Sequence, residues 1–86
     1  MNRISYVQLW KMNVTDPEYV KAWGNNLRTI RRAKGLTALD LAVSIGVEDK
    51  QIRRIETGEI STSLTMIRAL ARALNIHPAE LFKFDI

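Results

Sequence analysis

Residues 37–56 read TALDLAVSIGVEDKQIRRIE, and this stretch decides the fold. Its apolar residues are spaced as in a helix, a sharp bend and a second helix packed across the first. They are Leu41, Ala42, Ile45, Val47, Ile52 and Ile55. Thr37 followed by Asp40 is a capping-box-like start, and Gly46 tolerates the positive φ that such a bend requires. The second helix then carries charged and amide side chains, which can reach base edges and phosphates.

This stretch resembles the helix-turn-helix of the phage repressor and Cro type, the family also called XRE-like regulators. The matching residues are Gly35-Leu36-Thr37, Leu41-Ala42, Ile45-Gly46-Val47, Ile52, Ile55-Glu56-Thr57-Gly58, Ser63-Leu64, Ala71, Ala73 and Leu74. The likeness covers about residues 20–82. It implies an all-α, five-helix, lambda-repressor-like domain and the function of a sequence-specific, repressor-like transcription regulator.

The composition is compatible with a small DNA-binding domain and excludes several other classes of protein. Eighty-six residues, of which 47% are hydrophobic, suffice for one small domain. The sequence has no cysteine, phosphate-binding glycine loop, nucleophile elbow or metal-spaced cluster, so we expect no enzyme activity, no cofactor and no metal. With no long apolar run or signal-peptide core, we expect a cytoplasmic protein. The net charge of +4 suits DNA, but solvated helix faces would give the same charge.

Helix boundaries are marked by capping residues. Asp16-Pro17-Glu18 is predicted to begin a helix that runs to about Lys34 and ends at Gly35. Its predicted inward face is Val20, Trp23, Leu27, Ile30 and Ala33. Ser63 is predicted to cap a fourth helix that ends at Asn75, with a stripe of Leu64, Ile67, Leu70, Ala71 and Leu74. A last short helix should begin at His77-Pro78, where His77 acts as a cap or is simply exposed, and end near Phe82. The helix-turn-helix domain would therefore occupy residues 16–86.

The resemblance places the helix at about 48–57 in the major groove of DNA. The residues it assigns to DNA binding are Asp49, Lys50, Gln51, Arg53, Arg54, Thr37, Ser61, Thr62 and Ser63. Gln51 can pair with adenine, and Arg54 or Lys50 with guanine, while Arg53 should meet phosphate. The hydroxyl residues before the fourth helix would bind phosphate at its N-terminus. The family also implies a homodimer on a palindromic site of double-stranded DNA.

Two further features follow from the comparison with the family pattern. An arginine of the first helix and the glutamate before the closing glycine form an ion pair in the family, which implies a structural pair of Arg31 and Glu56 here. Elsewhere this chain departs from the pattern: Ala38 stands where glutamine is common, and Glu48 where a small hydroxyl residue is common. Glu59 stands where lysine or arginine is frequent. These changes predict weak or narrowly tuned DNA affinity.

Residues 1–15 are predicted to be an N-terminal arm, extended or forming a short strand, because they are rich in aromatic and β-branched residues. Such an arm could fold back over the domain, pair with the arm of a second subunit or lie in DNA, and packing or dimerisation is favoured. Leu39 and Val43 are apolar where the family is polar. We hypothesise that the arm covers them through Tyr6, Leu9 or Trp10, the alternative being two isolated exposed aliphatic residues.

Another function remains open on the same fold. The acids Glu48, Asp49 and Glu59, together with Leu39 and Val43, would also suit a protein-interaction module with weak or no DNA binding. An antitoxin of a toxin–antitoxin pair is a further variant of the regulator. A salt-dependent affinity for DNA would separate the regulator from the interaction module.

Overall fold

The computed structural model describes residues 15–86, which form four α-helices and one 3-10 helix. The elements are α1 (Pro17–Ala33), α2 (Ala38–Ile45), α3 (Asp49–Glu56), α4 (Leu64–Ala73) and the 3-10 helix Pro78–Phe82. Between residues 15 and 86 there is no β-strand, so the all-helical class is confirmed. The fifth predicted helix is a 3-10 helix, and a count of five α-helices is therefore not confirmed. The predicted arm lies outside the described residues except for Thr15.

The first helix begins and ends at the residues that its sequence marks. The Asp16 side chain accepts a hydrogen bond from the Tyr19 N–H at 3.1 Å, and Pro17 opens the helix. After Ala33 the chain turns through Gly35, whose φ of +73° is the left-handed conformation that glycine adopts without strain. One predicted inward residue is wrong. Ala33 is exposed, and Arg31 occupies the inward position near the end of the helix instead.

The bend between α2 and α3 is fixed by backbone and side-chain hydrogen bonds. The Asp40 N–H donates to the Thr37 hydroxyl at 3.0 Å and the Thr37 N–H donates to the Asp40 carboxylate at 2.9 Å, which confirms the capping box. These bonds from Thr37 hold the pKa of the Asp40 carboxyl below its usual value. Gly46 ends α2 with a φ of +75°, and the Val47 N–H returns to the Ala42 carbonyl at 3.0 Å. Helix α3 therefore leaves α2 at a sharp, defined turn.

The last two helices are also capped by their own sequence. The Ser63 hydroxyl accepts from the Met66 N–H at 3.1 Å, and Asn75 follows α4 with a φ of +54°. His77 caps the 3-10 helix because its Nδ1 accepts from the Ala79 N–H at 3.0 Å. The predicted stripe of α4 is wrong at one end. Leu64 is 84% exposed, whereas Met66 and Ile67 in the same turn of α4 pack against the core.

The core lies between α1, α2, α3, α4 and the 3-10 helix. Its buried apolar residues are Trp23, Leu27, Ala38, Leu41, Ala42, Ile52, Ile55, Leu70, Ala71, Leu74 and Leu81. Helix α3 packs against both α1 and α2, while the 3-10 helix packs against α1 and α4. Since α3 is supported from beneath by two helices, one of its faces is fixed towards solvent. None of the described helices is long and apolar enough to cross a membrane.

Helix α1 approaches α3 so closely that a side chain would not fit between them. Gly24 is buried in the middle of α1, where glycine is a poor helix former. A Cβ atom added there would overlap the carbonyl oxygen of Ile55 and lie 2.8 Å from that of Glu56. Glycine at this position therefore sets the distance between α1 and the end of α3.

Candidate nucleic-acid interface

Helix α3 has two chemically different faces. Ile52, Ile55 and Glu56 are buried, whereas Arg53 and Arg54 are exposed. The helix begins at Asp49, and Glu48 before it makes no side-chain capping hydrogen bond. Asp49 lies in its first turn, where the helix dipole is positive, and the arginines lie in its last turn, where the dipole is negative. The charges are thus favourable for the helix itself as well as accessible from outside.

Three of the residues expected to read bases lie together. Lys50, Gln51 and Arg54 line one shallow depression, whose other walls are Glu48 and Ile60. Lys50 and Arg54 are exposed and Gln51 is half-buried, so all three retain polar groups at the surface. This arrangement offers ammonium, amide and guanidinium donors within one patch of the surface.

Beneath that surface, Arg31 of α1 and Glu56 of α3 form a two-pronged ion pair. The Arg31 Nε donates to Glu56 Oε2 at 2.6 Å, and its Nη2 donates to Oε1 at 2.9 Å. The third arm of the guanidinium, Nη1, donates to the Leu36 carbonyl at 2.7 Å. The bonds to Glu56 raise the pKa of Arg31 above its usual value. Arg31 is 7% exposed and Glu56 3%, so this paired group ties α3 to α1 and to the turn before α2 inside the protein.

Both arginines of the exposed face have acidic partners. Arg53 Nη2 lies 3.0 Å from Asp49 Oδ2, one helical turn earlier, and Arg54 Nε lies 3.6 Å from Glu59 Oε1, beyond the end of the helix. Neither of these two ion pairs was predicted from the sequence. The spacing of four residues between Asp49 and Arg53 could have indicated the first pair. The second depends on the turn at Gly58, which brings Glu59 back over α3 and which spacing alone does not reveal.

The predicted phosphate-binding hydroxyls are partly engaged within the protein. Both the hydroxyl and the N–H of Thr37 are used in the capping box, and the hydroxyl of Ser63 caps α4. Ser61 is exposed, whereas Thr62 is half-buried, and both line an apolar cleft between α1 and α4. Thr37 and Ser63 are exposed as well. The depression that holds Lys50, Gln51 and Arg54 is not lined by these hydroxyl residues, but its wall residue Ile60 also lines the cleft of Ser61 and Thr62.

The apolar pair on α2 is open to solvent. Leu39 is 56% exposed and Val43 71% exposed. Their exposure leaves room for a partner. The proposed cover by Tyr6, Leu9 or Trp10 lies outside the described residues.

Comparison with known proteins places this geometry in a family. A family model described as helix-turn-helix matches residues 27–81, which extend from the middle of α1 to the 3-10 helix. The chain belongs to the helix-turn-helix family of the Cro and phage-repressor type. The predicted family is therefore confirmed, and its helix-turn-helix domain is of the DNA-binding kind found in transcription regulators.

Solved structures with this fold include two regulators of more than 25% identity. The restriction-modification controller protein C.AhdI from Aeromonas hydrophila is 40% identical, with a TM-score of 0.72, over 78% of this chain and 100% of its own. The clp gene regulator ClgR from Corynebacterium glutamicum is 27% identical, with a TM-score of 0.73, over 78% of this chain and 87% of its own. Both likenesses extend over most of the helical domain.

Two relatives are found by sequence. A protein of Herpetosiphon aurantiacus, described as an uncharacterized 15.4 kDa protein in the HgiDIIM 5′ region, is 42% identical over 64 residues. That match covers 71% of the helix-turn-helix protein but only 46% of the relative. An uncharacterized HTH-type transcriptional regulator of Archaeoglobus fulgidus is 34% identical over 59 residues, which are 69% of this chain and 84% of that one.

Proposed function

We propose that this protein is a sequence-specific, repressor-like regulator that inserts α3 into the major groove of double-stranded DNA and acts as a homodimer. The observation that carries the proposal is the depression lined by Lys50, Gln51 and Arg54 on a helix whose opposite face is buried. Rigid support matters because side chains on a mobile helix would lose entropy on binding. A major groove about 12 Å wide admits an α-helix, and its base edges present the acceptors and donors that these residues match.

The proposed roles follow from the chemistry of each side chain. Gln51 pairs with adenine, and Arg54 or Lys50 pairs with guanine. Arg53 and the segment Ser61, Thr62 and Ser63 contact phosphates and so fix the position of α3 along the duplex. Asp49 faces the groove beside the base-reading residues, and Thr37, the residue before α2, also contacts the DNA. Phosphate contacts supply affinity, whereas the three base-reading residues supply sequence preference.

The small size of the reading surface supports action as a dimer. One α3 helix reaches only a few base pairs, and two such helices set one DNA turn apart, about 34 Å, double the length of the site read. The site is then palindromic, and regulation occurs by occupancy of that site. The 40% identity to the restriction-modification controller C.AhdI favours control of a restriction-modification system as the setting for this regulation.

A second candidate, binding of a partner protein, is favoured by the exposure of Leu39 and Val43. Two aliphatic side chains one turn apart on α2 form a small apolar strip that a partner can cover. In this case the fold serves as an interaction module with weak or no DNA binding. The two candidates differ in how DNA affinity responds to salt.

A salt-titrated mobility-shift assay tests the proposed roles. On duplex DNA recovered by selection, we expect Gln51→Ala and Arg54→Ala each to lower affinity about tenfold or more, because each removes one base-reading pair. Arg53→Ala should reduce the slope of log K against log [salt] by about one, because one phosphate contact is lost. Arg72→Ala, a change of an exposed arginine on α4, should leave both quantities unchanged.

Two outcomes would contradict this account. One is wild-type protein that binds no duplex even at low salt, which would favour the interaction module. The other is Arg72→Ala weakening binding as much as Arg54→Ala, which would mean that DNA lies against a different surface.

A further inference from the structure

The reading surface of α3 is formally neutral, although the whole chain carries +4. Lys50, Arg53 and Arg54 contribute three positive charges, and the acids Glu48, Asp49 and Glu59 contribute three negative charges. Phosphate attraction supplies most of the affinity of a protein for random DNA. A neutral surface at the point of contact therefore gives little net attraction to random sequence, while its hydrogen-bonding groups stay in place.

Backbone geometry sets Glu59 beside Arg54. Gly58, with a φ of +79°, reverses the chain at the end of α3, and the Glu59 N–H then donates to the Arg54 carbonyl at 2.9 Å. The Ile60 N–H approaches the same carbonyl at 3.3 Å. A Cβ at Gly58 would lie 2.6 Å from the Cα of Lys21, so this turn is held against α1. The fold thus places the backbone of Glu59 beside Arg54, and its carboxylate Oε1 lies 3.6 Å from the Arg54 Nε.

The position of Asp49 is also set by the fold. It is the first residue of α3, one helical turn before Arg53, and the 3.0 Å separation of Asp49 Oδ2 and Arg53 Nη2 is that of a direct ion pair. Each exposed arginine of α3 therefore has one dedicated carboxylate, one from the start of the helix and one from the loop after it.

These two ion pairs contribute little to the folding stability of the domain. The Arg54 and Glu59 side chains are 46% and 61% exposed, and ion pairs as open to water as these add little to folding stability. Their larger effect is on an approaching polyanion, because each carboxylate competes with phosphate for its arginine and repels the phosphate as well. A carboxylate in the major groove can be compensated in one way, by accepting a hydrogen bond from the amino group of cytosine.

We infer that Asp49 and Glu59 are specificity-determining residues, which hold Arg53 and Arg54 in ion pairs that random DNA opens poorly and that a site with correctly placed cytosines opens readily. This inference rests on the proposed function, since it assumes that α3 meets DNA. On random DNA the carboxylates remain uncompensated against phosphate. On the cognate site they gain a donor, and the arginines are released to guanine and phosphate.

The test is to neutralise each acid and measure binding to two duplexes, the selected site and a scrambled sequence of the same length. We expect Asp49→Asn and Glu59→Gln each to raise affinity for the scrambled duplex about three- to fivefold at low salt, the size of one exposed ion pair. For the scrambled duplex, the slope of log K against log [salt] should steepen by about one, because an arginine is freed to contact phosphate. Affinity for the selected site should stay the same or fall, so the ratio of specific to random binding decreases.

Glu80→Gln is the matched control. It makes the same change of charge and also breaks a surface pair, that of Glu80 and Lys83 at 2.8 Å, on a 3-10 helix that packs against α1 and α4. Thermal unfolding of each variant checks that the domain remains folded. If Asp49→Asn and Glu59→Gln change scrambled-duplex affinity no more than Glu80→Gln does, the inference is overturned while the proposed function stands. If neither the wild type nor the variants bind any duplex, the proposed function fails and the inference with it.

Discussion

Glu56→Ala is expected to destabilise the domain by about 3–5 kcal/mol, which is the range found when one partner of a buried ion pair is removed. The substitution leaves the Arg31 guanidinium 7% exposed and with only the Leu36 carbonyl as a partner. Arg28, whose Nε lies 3.4 Å from Glu56, would also lose a partner, but its side chain is 32% exposed and can be solvated. Because small domains are stable by about 5–15 kcal/mol, urea unfolding should show a large loss or no folded state.

A double substitution distinguishes two causes of instability, the burial of an unpaired Arg31 charge and the loss of the ion pair itself. Arg31→Met combined with Glu56→Leu removes both charges and keeps apolar bulk between α1 and α3, a change that is often neutral or stabilising for buried pairs. We expect the double variant to be clearly more stable than Glu56→Ala alone. A Glu56→Ala protein as stable as the wild type would show that the pair does not hold α3 in place.

Gly24→Ala is expected to be the second most disruptive change, with a loss of about 2 kcal/mol or more, in the range of overpacked cores. Alanine improves helix propensity by about 1 kcal/mol, so without a steric conflict the variant would be more stable. The added methyl group overlaps the Ile55 carbonyl, which is backbone and cannot rotate away. Helices α1 and α3 must then separate, and the sign of the effect reverses.

Asn25→Ala is the control for this prediction, since Asn25 is exposed on the same helix and gains the same kind of propensity without a clash. It should be neutral or slightly stabilising in the same urea titration. Equal stability of Gly24→Ala and Asn25→Ala would mean that α1 and α3 are not in the close contact described.

The sequence predicted what depends on neighbouring residues. The caps at Asp16, Thr37 and Ser63 and the left-handed turns at Gly35 and Gly46 each need only a few adjacent residues, and the structure has them all. These local signals were enough to divide the chain into helices and to locate the bend between α2 and α3. The last segment was predicted as a helix but is a 3-10 helix, because five residues between Pro78 and Phe82 allow little more than one turn.

Features that depend on distant residues were not predictable in the same way. The close approach at Gly24 could not be predicted, because its contact with α3 joins residues about thirty positions apart. Ala33 and Leu64 fit the helical periodicity yet are exposed, since periodicity does not show where a neighbouring helix ends. The pairing of Arg54 with Glu59 likewise required the turn at Gly58. The exposed face of α3 and its acidic residues were foreseen, but the ion pairs that Asp49 and Glu59 form with Arg53 and Arg54 were not.

Selection of bound fragments from random duplex DNA tests the central claim, that the exposed face of α3 reads sequence. We predict enrichment of a palindromic motif whose half-sites lie about one helical turn apart, about 34 Å. Repeating the selection with Gln51→Ala should relax the preference at one position in each half-site and leave the spacing unchanged. The claim would be contradicted if the wild type enriched no motif, or if it enriched a motif that neither Gln51→Ala nor Arg54→Ala altered.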